Sequence, residues 1–79
     1  MKRPRRQEIR FAVCIKNKGY EASLEVGKLY RVLPDEDAEK HGYLRIVDES
    51  GKDYGYAARR FFAVDLPKPL EKVLLRVAS

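Results

Sequence analysis

Five short runs of β-branched, aromatic and aliphatic residues recur along this chain, each cut off from the next by glycine, proline or polar residues. A chain divided in this way has few folds open to it. Residues 10–16, RFAVCIK, alternate, with Phe11, Val13 and Ile15 on one face and Ala12, Cys14 and Lys16 on the other. Both faces are mostly apolar, so this strand is expected to be central or covered on both sides. Asn17-Lys18-Gly19 signals a turn, and residues 20–27 predict a loop that dips into the core through Leu24 and Val26. Residues 28–33, KLYRVL, predict a second strand, ended by Pro34, which cannot continue a ladder. Residues 35–42 predict a polar, mostly acidic loop. Residues 43–47 and 53–57 predict two strands joined by a hairpin over 48–52, DESGK. Residues 58–61 lack a period of two and predict one helical turn before a short last strand over 62–64. The expected interior is Val13, Ile15, Leu29, Leu44, Ile46 and Val64. Five such strands point to a small, partly open antiparallel barrel.

The chain ends differently. Pro67 and Pro69 punctuate the exit, and Leu70, Val73, Leu74 and Val77 then fall at i, i+3, i+4 and i+7. That spacing predicts a helix with one apolar face. A helix this short must dock to persist, either on its own sheet or on a second copy as a homodimer.

Seventy-nine residues hold one domain at most. We divide them into a basic tail over 1–9, the five-stranded domain over 10–66, and a linker and helix over 67–79. Residues 1–8, MKRPRRQE, hold no apolar residue after Met1, so the tail is expected to be flexible. The net charge of +5 is uneven: +4 over residues 1–10, −1 over 11–66 and +2 over 67–79. No apolar run is long enough to cross a membrane. The basic N-terminus has no apolar stretch of the secretory kind. Cys14 is the only cysteine, which excludes an internal disulfide framework and a multi-cysteine zinc site. A cytoplasmic protein without membrane contact is expected.

Three segments together resemble a known family. Residues 23–33, SLEVGKLYRVL, are similar to the part of SH3 domains that leaves the long first loop and enters the second strand. Residues 55–62, GYAARRFF, resemble the Gly-Tyr-Val-Pro-Ser-Asn-Tyr-Val segment of that family, and Ala12-Val13-Cys14-Ile15 sits where it has Ala-Leu-Tyr-Asp. The chain is also similar to small bacterial SH3-like proteins that share a pattern such as C-I-x-N-K-G-x-E-A-S-L-E-V-G-K. The resemblance covers about residues 10–65 and implies an SH3-like barrel. Its RT loop would be residues 16–26, its n-Src loop 34–42 and its distal hairpin 48–52. Against the family pattern, this chain has no Trp, and it carries Ala58 and Phe61 where the family has Pro and Tyr.

The candidate residues follow from this reading. Tyr20, Tyr43, Tyr54, Tyr56 and Phe61 are aromatics available for a shallow groove. We expect Tyr20, Tyr43, Tyr56 and Phe61 as walls for a protein or peptide partner, with Arg59 as the polar edge. The alternative is nucleic-acid binding through Lys2, Arg3, Arg5, Arg6 and Arg10, with Arg45, Arg59 and Arg60. Asp35, Glu36, Asp37, Glu39 and His41 cluster without the spacing of a calcium loop, so a solvated loop is expected and no metal. Cys14 on a central strand reads as an inert thiol. No catalytic constellation and no cofactor motif is present, so a non-catalytic binding module is expected.

Overall fold

The computed structural model describes residues 10–78, with side chains as far as Arg76. The expected flexible tail over 1–9 lies outside the described residues. The elements in order are β1 (Phe11–Cys14), β2 (Leu29–Leu33), α1 (Glu36–Lys40), β3 (Tyr43–Val47), β4 (Asp53–Ala57), a 3-10 turn (Ala58–Arg60), β5 (Phe61–Val64) and α2 (Lys68–Ala78). All strand pairs are antiparallel, in the order β4-β3-β2-β1-β5. β1 is therefore central, between β2 and β5.

The sheet is not closed into a barrel: among the described residues no pairing joins β4 to β5. It nevertheless curls, because Tyr56 on β4 and Phe61 on β5 bring their ring centroids to 6.1 Å. The 3-10 turn sits between these two edges. It ends the β4 ladder at Ala57 and redirects the chain to β1, so side chains meet where backbones do not.

The core consists of Ala12, Cys14, Leu24, Tyr30, Val32, Leu44, Ile46, Tyr56 and Phe61. Leu44, Ile46 and Leu24 are where the sequence predicts them. Val13, Leu29 and Val64 are only half-buried, and Ile15 and Val26 are exposed, against expectation. The reason is volume. Ala12 pairs with Tyr30 and Cys14 with Phe61. Those two rings flank β1 and pack edge to face at 6.4 Å. Rings this large on both neighbours leave room only for small side chains between them. The face of β1 carrying Ala12 and Cys14 turns inward, although the other face is the more apolar. On that other face, Val13 lies beside Leu29 and Phe62, and Phe11 beside Arg31 and Val64.

Two further differences have local causes. Residues 35–42 are not all loop. Asp35 caps a helical turn by accepting a hydrogen bond from the Ala38 amide at 3.0 Å, and α1 follows. Gly42 closes it with φ +82°, the left-handed geometry favoured just past a helix end. The C-terminal helix forms, and it begins at Lys68, before the predicted stripe. Its apolar face is split: Leu74 and Leu75 are half-buried, while Leu70 and Val73 are exposed.

Candidate functional site

The 3-10 turn organises the most distinctive surface of the molecule. At its start, the Ala58 amide donates to the Gly42 carbonyl at 2.8 Å, tying it to the turn before β3. At its end, the Arg60 carbonyl accepts from the Ile15 amide at 2.8 Å and from the Lys16 amide at 3.3 Å. The Arg60 side chain reaches further. Its guanidinium donates to the Lys18 carbonyl at 3.1 Å and the Lys16 carbonyl at 3.4 Å, and lies 4.6 Å from the Tyr20 ring centroid. A planar guanidinium suits this dual role of donor fork and ring partner.

The loop that Arg60 clamps, residues 15–28, is built from within. Leu24 is fully buried and anchors it. The Asn17 side-chain amide donates to the Leu24 carbonyl at 2.9 Å, and the Ser23 and Leu24 amides both donate to the Tyr20 carbonyl at 2.9 Å. Tyr20 is thereby held over Tyr56, edge to face at 5.2 Å, and stays 44% exposed.

Beneath this surface lies a polar support that the sequence reading does not single out. Asp48, buried, accepts from the Tyr56 hydroxyl at 2.6 Å, from the Ser50 hydroxyl at 2.6 Å and from the Ser50 amide at 2.9 Å. Burial alone would raise its carboxyl, but the Ser50 and Tyr56 hydrogen bonds outweigh it and hold the group below the ordinary carboxylate range. Burial, then the bond to Asp48, pushes the Tyr56 phenol up to about 12. A second support is Glu49, which accepts from Lys28 at 2.7 Å and from the Tyr30 hydroxyl. The signal for Asp48 is the Asp-x-Ser-Gly pattern of a side-chain-capped turn.

The predicted site residues separate accordingly. Tyr20, Tyr43 and Arg59 are exposed around the 3-10 turn, with Tyr43 at 47%. Arg59 makes no hydrogen bond or ion pair among the described residues. Tyr56 and Phe61 are buried, which corrects their expected exposure as groove walls: Tyr20 rests on Tyr56, and Tyr56 packs against Phe61. Tyr54 is half exposed on β4 and makes no ring contact among the described residues. Of the residues named for nucleic acid, Arg45 is engaged by Asp35 at 2.8 Å and Asp53 at 3.0 Å, and Arg60 by the loop. Both are already partnered, so neither offers an uncommitted cation. Arg10 pairs with Glu71 at 3.5 Å, and Lys2, Arg3, Arg5 and Arg6 lie outside the described residues.

The acidic residues of 35–42 do not converge. Asp35 is used by the Ala38 amide and Arg45, and His41 Nδ1 lies 2.9 Å from the Asp37 carbonyl. Among the described residues no group of three His, Cys, Asp or Glu is placed to hold a metal ion. Cys14 is buried, and its thiol lies 3.6 Å from the Lys16 carbonyl. No described helix is long and apolar enough to cross a membrane. The chain matches no known family model, no curated protein and no solved structure.

Proposed function

We propose that this protein is a non-catalytic SH3-like binding module that contacts a protein or peptide partner across the surface of the 3-10 turn. Tyr20 and Tyr43 supply two half-exposed rings, and Arg59 on the 3-10 turn offers a planar fork for a partner carboxylate. The SH3-like reading draws on the sequence resemblance, the strand order and the curl that brings Tyr56 to Phe61. The observation that carries the function is the arrangement around the turn. Two half-exposed tyrosines stand on segments that the turn hydrogen-bonds together, and Arg59 on that turn makes no hydrogen bond or ion pair among the described residues. Exposed aromatics held rigid at low entropic cost are the usual anchors of an interface.

The test is affinity capture from lysate with the full chain, compared with Tyr43→Ala/Arg59→Ala and with Tyr20→Ala. These positions are exposed, so the variants are expected to keep the fold. A partner retained by the native chain and lost by the double variant supports the assignment. Equal recovery of every captured protein by all three chains overturns it.

A further inference from the structure

The two edge strands of the sheet differ. β4 carries Gly55 and Asp53, the latter ion-paired to Arg45, whereas β5 reads Phe61-Phe62-Ala63-Val64 with no charge, glycine or proline. A charge or a proline is the usual device that stops an edge from pairing with another chain. The edge of β5 is also open. The Ile15 amide donates to the Arg60 carbonyl, which sets the alternation of the β1–β5 ladder. Phe62 and Val64 turn their backbone groups toward β1. Ala63 turns its amide and carbonyl away, where no strand pairs with them among the described residues. Ala63 is exposed, and Phe62, on the outer face, is 67% exposed. Opposite charges flank this strand. Arg59 precedes it and Asp65 follows it, both are exposed, and neither side chain makes a hydrogen bond or ion pair among the described residues.

We propose that β5 pairs antiparallel with β5 of a second copy of this chain, about a twofold axis through Ala63. The segment from Arg59 to Asp65 is self-complementary in that direction. Ala63 meets Ala63 of the second copy, and the two exchange the amide and carbonyl that each copy leaves unpaired. Phe62 then lies beside the second copy's Val64 on one face, which withdraws its ring from water. Phe61 lies opposite the second copy's Asp65, which brings that carboxylate to the 3-10 turn and the fork of Arg59. The twofold forms this ion pair twice. A foreign strand would satisfy the backbone but match both charges only by chance, and a parallel copy would set Arg59 against Arg59. The pairing closes on itself, because it uses the one unprotected edge of each copy. A four-residue strand and its flanks bury far less than an obligate interface, so a dimer of modest affinity is expected. This use of the Arg59 fork rests on the reading above, with the second copy as the source of the carboxylate, and Tyr20 and Tyr43 take no part in it.

Sedimentation equilibrium of the full chain is followed from about 10 µM to about 1 mM, the range in which an interface of this size associates. The native chain is expected to pass from monomer to dimer across it. Phe62→Lys, which sets a charge on the edge, is expected to stay monomeric. Arg59→Asp and Asp65→Arg are each expected to weaken the dimer about fivefold or more. The double reversal Arg59→Asp/Asp65→Arg is expected to recover it to within about twofold of the native chain. All three positions are exposed, so the fold is retained. The surface of the 3-10 turn is read separately, because Phe62→Lys leaves Tyr20, Tyr43 and Arg59 in place: proteins captured from lysate alike by the native chain and by this variant belong to that surface and not to the dimer. A native chain that stays monomeric throughout overturns the proposal. A dimer that persists in Phe62→Lys overturns it in favour of another face. A double reversal that fails to recover what the single ones lose removes the pairing of Arg59 with Asp65, and with it the twofold register.

Discussion

The Tyr56 hydroxyl and the Asp48 carboxylate form a buried charge-assisted hydrogen bond at 2.6 Å, completed by the two bonds from Ser50. Such a bond to an ionised group is worth about 1.5–3 kcal/mol, and a buried carboxylate deprived of it keeps its desolvation cost. Tyr56→Phe is therefore expected to lower stability by about 1.5–3 kcal/mol in urea denaturation at neutral pH. The pH dependence follows from the same pair. The Asp48 carboxyl is held below its ordinary 3.8 in the folded chain. Its contribution is thus present above that value and is lost as pH falls through the lower folded value. Tyr56 is raised from 10.0 to about 12, so its contribution is full below 10.0 and is lost as pH rises toward 12. Midpoints measured across pH should show both losses in the native chain. In Tyr56→Phe both should be smaller.

Among the elements, the strands were the most legible in the sequence. The predicted spans 43–47 and 53–57 coincide with β3 and β4, and the helical turn at 58–61 falls on Ala58–Arg60. Alternation and the hairpin glycine carry that information locally. The inward face of β1 was not legible, because both faces are apolar and the choice rests on rings contributed by β2 and β5. The burial of Tyr56 and Phe61 was hidden for a similar reason: an aromatic residue reads alike on either side of a sheet. The helix α1 was masked by its polar composition, and only Asp35 and Gly42 mark its ends. Gly42 also gives the carbonyl that holds Ala58, so it couples α1 to the 3-10 turn. A Cβ there would meet open space, but φ is +82°. Gly42→Ala is thus expected to cost about 1–2 kcal/mol from backbone strain alone. Thermal unfolding of the variant checks this, and a cost near zero would mean that the turn relaxes.

At the scale of the whole molecule, an open curled sheet has two faces to cover and one core. The inner face is filled by three rings and the aliphatic residues around them. Phe11 points the other way, beside Arg31 and Val64, yet it is 4% exposed and stands apart from the inner cluster. The side of α2 that carries Glu71, Leu74 and Leu75 is half-buried, and Glu71 is tied to Arg10, next to Phe11 in the chain. These facts place the half-buried side of α2 next to the start of β1. Burying one large apolar side chain contributes about 1.5–3 kcal/mol. A chain ending at Leu66 gives up the partial burial of Leu74 and Leu75 and the Arg10–Glu71 ion pair. It is expected to unfold about 1.5–3 kcal/mol more easily in urea. For a domain of this size that is a large share of the total stability. Light scattering of the same two chains separates a docked helix from an interface. The same oligomeric state at both lengths, with the shorter one less stable, fits a helix that docks on its own sheet. A full-length dimer that becomes a monomer on truncation would instead assign the exposed Leu70 and Val73 to a second copy.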